Sequence, residues 1–188
     1  MLNFSILLTL LRLISSITIL PFLLIWFLPT NSFNINLMLS IFFVLLGLTD
    51  FFDGFFARKY NQETLLGGLL DPIADKFLLF STLITLLSVG KIYFYIPIIF
   101  ISREFFIMGL RQVALTHGFE ISVIQSAKFK TLMQFCYLTC VILNNYQSLF
   151  IYYLEYLFLF IALFLSMFSA LEYFLIFIKR LGNVNEIL

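Results

Sequence analysis

Charge is what this sequence has least of. Lysine, arginine, aspartate and glutamate make up only 11% of its 188 residues, against about a quarter in soluble domains, while 62% are hydrophobic and mean hydropathy is +1.08. The one histidine, His117, stands in the stretch THGFE and reads as a solvated loop residue. Two cysteines, Cys136 and Cys140, lie four apart in an apolar run, and no histidine or further cysteine nearby completes a thiolate metal site, so they read as packing. No basic patch of the kind that binds nucleic acid is present. The ten-residue alternation of a membrane β-barrel is also missing, as is a small-residue cleavage site after the first hydrophobic run, which Arg12 interrupts. That run therefore reads as a retained helix.

What is present is a series of apolar runs long enough to cross a bilayer, each needing about 20 residues. The expectation is an all-α integral membrane bundle of six transmembrane helices forming a single domain, 1–188. The spans read as 9–28, then from 35 through the aspartates near 50, then 65–89, 92–115, 129–143 and 151–178. Breaks fall at PTNSFN, KYNQET and Gly90-Lys91. The 26 phenylalanines show no repeat and read as lipid-facing and core packing. With six spans both termini share a side. Arg58, Lys59, Arg111, Lys128, Lys130, Lys179 and Arg180 fall on that side and Lys91 on the other, which by the positive-inside rule makes the first side cytosolic.

Against this background Thr49 to Lys76 stands out, because it carries Asp50, Asp53, Asp71 and Asp75. At 1.5 Å per residue Asp50 lies about 22 Å from the outer end of its span, and Asp71 and Asp75 lie about 9 and 15 Å in from the cytosolic loop. All four thus belong near the cytosolic side of a layer about 30 Å thick. Asp50 and Asp53 are spaced i, i+3, while Gly67, Asp71 and Asp75 repeat at i+4, so each set shares a helix face and a hairpin through RKYNQET opposes them. Four uncompensated carboxylates there would be prohibitively costly, and Arg58 and Lys76 are the cations close in sequence. A divalent metal is the natural remainder, and oxygen-only ligation favours Mg²⁺, Mn²⁺ or Ca²⁺ over zinc. Gly54, Ala57, Gly67 and Gly68 keep the facing walls small. A divalent-cation transporter would also use intramembrane acids, but its site belongs near the midplane, and a structural scaffold explains none of them.

Asp50-x2-Asp53-Gly54-x2-Ala57-Arg58-x8-Gly67-x3-Asp71-x3-Asp75 resembles the signature of the CDP-alcohol phosphotransferase family at every fixed position. That resemblance implies a six-helix membrane enzyme, usually a homodimer, with two metal ions, Mg²⁺ or Mn²⁺, held by Asp50, Asp53, Asp71 and Asp75. Asp75 would be the general base, and Thr9, Asp50, Gly54, Ala57, Arg58 and Gly67 would meet the CDP-lipid. ISREFFIMGLRQVA, SAKFKTLMQ and LLTLLR are similar to segments of the bacterial branch that transfers a phosphatidyl group from CDP-diacylglycerol to sn-glycerol 3-phosphate. Arg103, Glu104, Arg111, Lys128, Lys130, Thr131, Gln134, Thr9 and Arg12 match, while Ser5-Ile6 replaces Pro-Asn and Ala127 replaces Gly. The resemblance thus places the active site at the cytosolic face of a bacterial membrane. Arg103, Arg111, Lys128 and Lys130 suit the acceptor's dianionic phosphate. Sister branches use serine, inositol phosphate or phosphatidylglycerol as acceptor.

Overall fold

The computed structural model describes residues 4–59, 65–145 and 148–185, and within them the side chains of 9–49, 73–145 and 148–182. Every regular element among the described residues is helical. Helix α1 (Phe4–Ile14) passes through a π-helical segment, Ser15–Ile19, into α2 (Leu20–Phe27), which a short 3-10 turn, Leu28–Thr30, closes. Then follow α3 (Phe33–Lys59), α4 (Leu65–Ser88), α5 (Tyr95–Thr116), α6 (Gln125–Leu143) and α7 (Leu149–Asn185). With α1 and α2 taken as one rod, these are the six runs expected from hydropathy, in the expected places. The turn expected over RKYNQET falls largely on 60–64, which lie outside the described residues.

Local chemistry explains the ends and the one irregularity. Pro21 sits at the start of α2 and has no N–H, and its ring would clash with the carbonyl four residues back in a regular helix. The π segment lies directly before it, and the Leu20 N–H bonds the Ser15 carbonyl five residues back, so the ladder is widened where proline would break it. Beyond α2, Asn31 takes the left-handed conformation at φ 51°, which a short amide side chain tolerates. Gly90 at φ 75° and Gly118 at φ 80° turn the chain after α4 and α5, where any side chain would be strained. Pro97 lies in the first turn of α5, where its missing N–H would have had no intrahelical partner.

Two compact units divide the chain, 1–93 with 138–152, and 94–137 with 153–188. In the first, α1 and α2 pack against both α3 and α4. The stripe that does so is Thr9, Arg12, Ser16, Leu20, Leu24 and Leu28, all buried at intervals of three or four. From α3 come Asn36, Leu39, Ser40, Phe43 and Leu46, and from α4 Ala74, Leu78, Thr82, Leu83 and Leu86. In the second unit, Ile107 and Ala114 of α5, Ile121 of the α5–α6 connection and Tyr173 of α7 form a core flanked by Phe119, Ile124 and Ala127.

Connections at the helix ends agree with alternating spans. In the first unit Lys91 Nζ, after α4, donates to Asn31 Oδ1, after α2, and to the Asn144 carbonyl, after α6, each at 3.0 Å. The ends of the first, third and fifth rods therefore meet, as an up-and-down order requires. In the second unit Arg180 on α7 donates to the Glu120 carbonyl at 3.0 Å, Ser126 to Glu172 at 2.6 Å, and the Ile124 N–H to the Tyr173 hydroxyl at 3.3 Å, tying the α5–α6 connection to the end of α7.

The surface is apolar where a soluble protein's would be polar. Phe160, Phe164, Phe168, Leu171 and Leu175 form an exposed stripe on α7. The two described segments that are long and apolar enough to cross a membrane, Thr9–Thr30 and Leu149–Gly182, have only 22% of their apolar windows buried. They are not core helices of a soluble fold, and this outer surface calls for lipid. Hydroxyls on α4 bond their own backbone: Thr82 donates to Leu78 O and Thr85 to Ser81 O, both at 2.7 Å, and Ser88 to Thr85 O at 2.7 Å. These three hydroxyls are thus satisfied within the helix that carries them.

Candidate active site

Both halves of the aspartate pattern fall on regular helix. Asp50, Asp53, Gly54, Ala57 and Arg58 lie within α3, and Gly67, Asp71 and Asp75 within α4, so the i, i+3 and i, i+4 spacings become shared helix faces. Helices α3 and α4 pack against each other. Of these residues only Asp75 falls among the described side chains; those of Asp50, Asp53, Gly54, Ala57, Arg58, Gly67 and Asp71 lie outside them.

Asp75 faces a cation that spacing did not suggest. Its Oδ1 is 3.4 Å from Nη1 of Arg12 on α1, with the arginine side chain 2% exposed and the aspartate 48% exposed. The stripe of α1 that packs on α4 brings Arg12 there, one turn after Thr9, which is also buried. Of the two cations close in sequence, Lys76 is half-buried and Arg58 lies outside the described side chains. The signal for Arg12 was available: Thr9, Arg12 and Ser16 are the only polar residues in a helix stripe otherwise made of leucine. What sequence alone lacks is which helix that stripe meets.

No group of three or more potential ligands occurs among the described residues, since three of the four aspartates fall outside the described side chains. The donors that can be judged fit a hard divalent ion. Asp75 offers a carboxylate with half its surface open, and the remaining signature aspartates lie at helical register on two packed helices.

The basic residues of the second unit form two groups. Arg103 on α5 and Lys130 on α6 are buried, and both donate to Glu104 Oε1 at 2.7 Å. Arg103 also donates to the Ser169 hydroxyl on α7 at 2.6 Å and lies 6.0 Å from the Tyr173 ring centroid. Lys130 Nζ is 5.7 Å from the centroid of Phe100. Among the described residues, two cations on one carboxylate leave this knot at +1, linking three helices. Arg111 is half-buried and Lys128 exposed, and neither takes part in it. One turn away, Gln134 and Ser166 are fully buried, and their side-chain polar atoms lack hydrogen-bond partners. The sequence reading placed Arg103 and Lys130 together but gave no role to Glu104, the acceptor they share. His117 is exposed at the end of α5, with Nδ1 2.9 Å from Val113 O, and Cys136 and Cys140 are half-buried on α6.

Comparison with known proteins places this arrangement. Residues 2–171 match the family model described as CDP-alcohol phosphatidyltransferase. A Rickettsia felis protein named CDP-diacylglycerol–glycerol-3-phosphate 3-phosphatidyltransferase is 36% identical over 163 residues, covering 86% of this chain and 90% of its own. Proteins of the same name from Bacillus subtilis and Haemophilus influenzae are 35% identical over 136 residues and 33% over 178. They cover 72% and 91% of this chain, and 70% and 91% of their own.

Proposed function

Since this chain belongs to the CDP-alcohol phosphatidyltransferase family, we propose that it transfers the phosphatidyl group of CDP-diacylglycerol to sn-glycerol 3-phosphate, releasing CMP. The observation that carries the reading is the family signature, whose fixed positions fall on two packed helices and end on a half-open carboxylate.

In this reading Asp50, Asp53, Asp71 and Asp75 hold two divalent ions, Mg²⁺ or Mn²⁺. When bound, these supply the positive charge that offsets the pyrophosphate and the departing CMP. Thr9, Asp50, Gly54, Ala57, Arg58 and Gly67 bind the CDP-lipid, the small residues leaving room for the nucleotide. Asp75 takes the proton from the C1 hydroxyl of glycerol 3-phosphate, a contribution typically worth about 10²–10⁴-fold. As that oxygen forms its bond to the phosphorus bearing diacylglycerol, the bond from phosphorus to the CMP oxygen breaks. Arg103, Arg111, Lys128 and Lys130 hold the acceptor's phosphate. Glu104 gathers the two buried cations, while half-buried Arg111 and exposed Lys128 stand open to an incoming anion.

The chain is a single catalytic domain of six membrane spans, homodimeric, with both termini and the active site on the cytosolic side of a bacterial membrane. The test is an acceptor panel: purified protein, CDP-diacylglycerol and Mg²⁺, with glycerol 3-phosphate, serine, inositol phosphate or phosphatidylglycerol. Phosphatidylglycerophosphate from the first alone supports the reading. Transfer only to another acceptor moves the chain to a sister branch, and no CMP release with any acceptor overturns it.

A further inference from the structure

Arg12 was matched in the sequence but has no part in the transfer described above. Its side chain is 2% exposed, on a stripe of α1 packed against α4, whereas that of its partner Asp75 is 48% exposed. The arginine is therefore the fixed member of the pair and the aspartate the accessible one. The separation matters too. At 3.4 Å this contact is wider than the 2.7–2.9 Å of a charge-assisted hydrogen bond, and the carboxylate beside it keeps about half its surface open. Glu104 shows what a closed arrangement looks like in this chain: two donors at 2.7 Å, and a side chain only 15% exposed. A purely structural ion pair would be expected to resemble the Glu104 knot.

We infer that Arg12 is the positioning residue for Asp75. Its buried guanidinium draws Oδ1 toward α1, and this sets the direction in which the rest of the carboxylate meets the reacting hydroxyl. Arginine suits the task because its planar, pre-organised fork directs an oxygen where a lysine acts as a point charge. The inference rests on the reading of Asp75 as the base.

The test compares Arg12→Gln and Arg12→Lys with the wild type in kcat, in KM for CDP-diacylglycerol and glycerol 3-phosphate, and in Mn²⁺ binding by electron paramagnetic resonance without substrates. Misdirecting a reacting group costs about 10²-fold. Arg12→Gln is accordingly expected to lose about that much kcat, with both KM values changed little and Mn²⁺ bound at least as tightly, since a neighbouring cation is gone. Arg12→Lys recovers part of the loss. Unchanged kcat in folded Arg12→Gln overturns the inference, and so does an effect confined to KM for CDP-diacylglycerol, which would make Arg12 a substrate contact. Loss of Mn²⁺ binding also overturns it, by making Arg12 a support of the metal site. Should Arg12→Gln fail to fold, Arg12→Lys decides: lowered kcat at unchanged KM supports positioning, and wild-type kcat refutes it. Wild-type protein that binds no Mn²⁺, or Asp75→Asn that keeps full transfer, would instead refute the underlying reading of the site.

Discussion

Glu104→Gln removes the carboxylate of the knot that joins α5, α6 and α7, and the cost can be worked from its described contacts. Glu104 Oε1 accepts from Arg103 and from Lys130, both at 2.7 Å, and those two side chains are 7% and 1% exposed. The substitution raises the buried charge from +1 to +2 and leaves each cation without that carboxylate. Breaking a buried pair costs about 3–5 kcal/mol. The lower end applies, because Arg103 keeps the Ser169 hydroxyl and the Tyr173 ring, and Lys130 keeps the Phe100 ring. A loss of about 3 kcal/mol, at about 2–4 °C per kcal/mol for a chain of this length, lowers the unfolding midpoint by about 6–12 °C. The assay is thermal unfolding in detergent micelles followed by circular dichroism. Adding Lys130→Met returns the charge to +1 and should restore about half of the loss. A midpoint unchanged by Glu104→Gln, or a double variant no better than the single, would refute the reasoning.

Arg103→Ala leaves Glu104 and Lys130 as a neutral pair, so the fold tolerates it; with Arg111→Ala it should raise KM for glycerol 3-phosphate at least tenfold, a loss of about 1.4 kcal/mol, with little change for CDP-diacylglycerol. Equal effects on both substrates in steady-state kinetics would assign these arginines to the nucleotide or the fold. Asp75→Asn keeps the shape and one oxygen ligand but loses the basic lone pair, so CDP-diacylglycerol binding should weaken only in part while single-turnover transfer at saturating Mg²⁺ or Mn²⁺ is lost. Loss of both would leave Asp75 as a metal ligand alone, and retained transfer would move the proton elsewhere.

The helices were legible because apolar length is written directly into the chain. The breaks at Asn31, Gly90 and Gly118 coincide with residues that tolerate positive φ, so the ends of the first, third and fourth runs could be read closely. The last helix continues to Asn185 rather than 178, because Lys179, Arg180 and Leu181 favour helix after the apolar run has ended. The π segment escaped notice, since Pro21 in an apolar run signals a break or a kink without saying how the ladder absorbs it. In the site, helical register needed only local spacing and is confirmed for the backbone of α3 and α4. The cations expected near the aspartates were the neighbours in sequence, Arg58 and Lys76, and to these the structure adds Arg12, beside Asp75, from another helix. Helix pairing is a tertiary choice that one-dimensional spacing does not encode. The same holds for Glu104, whose second partner, Lys130, is 26 residues away on α6.

The central claim is that carboxylates on α3 and α4 carry metal-dependent phosphatidyl transfer. Its most direct test is the formation of phosphatidylglycerophosphate and CMP by chelator-stripped protein, titrated with Mg²⁺ or Mn²⁺, in wild type, Asp50→Asn and Asp71→Asn. The account predicts no product without metal, full recovery of the wild type on adding it, and no recovery in either variant although both remain folded in the membrane fraction. Transfer by the stripped wild type, or wild-type turnover by either well-expressed variant, would contradict it.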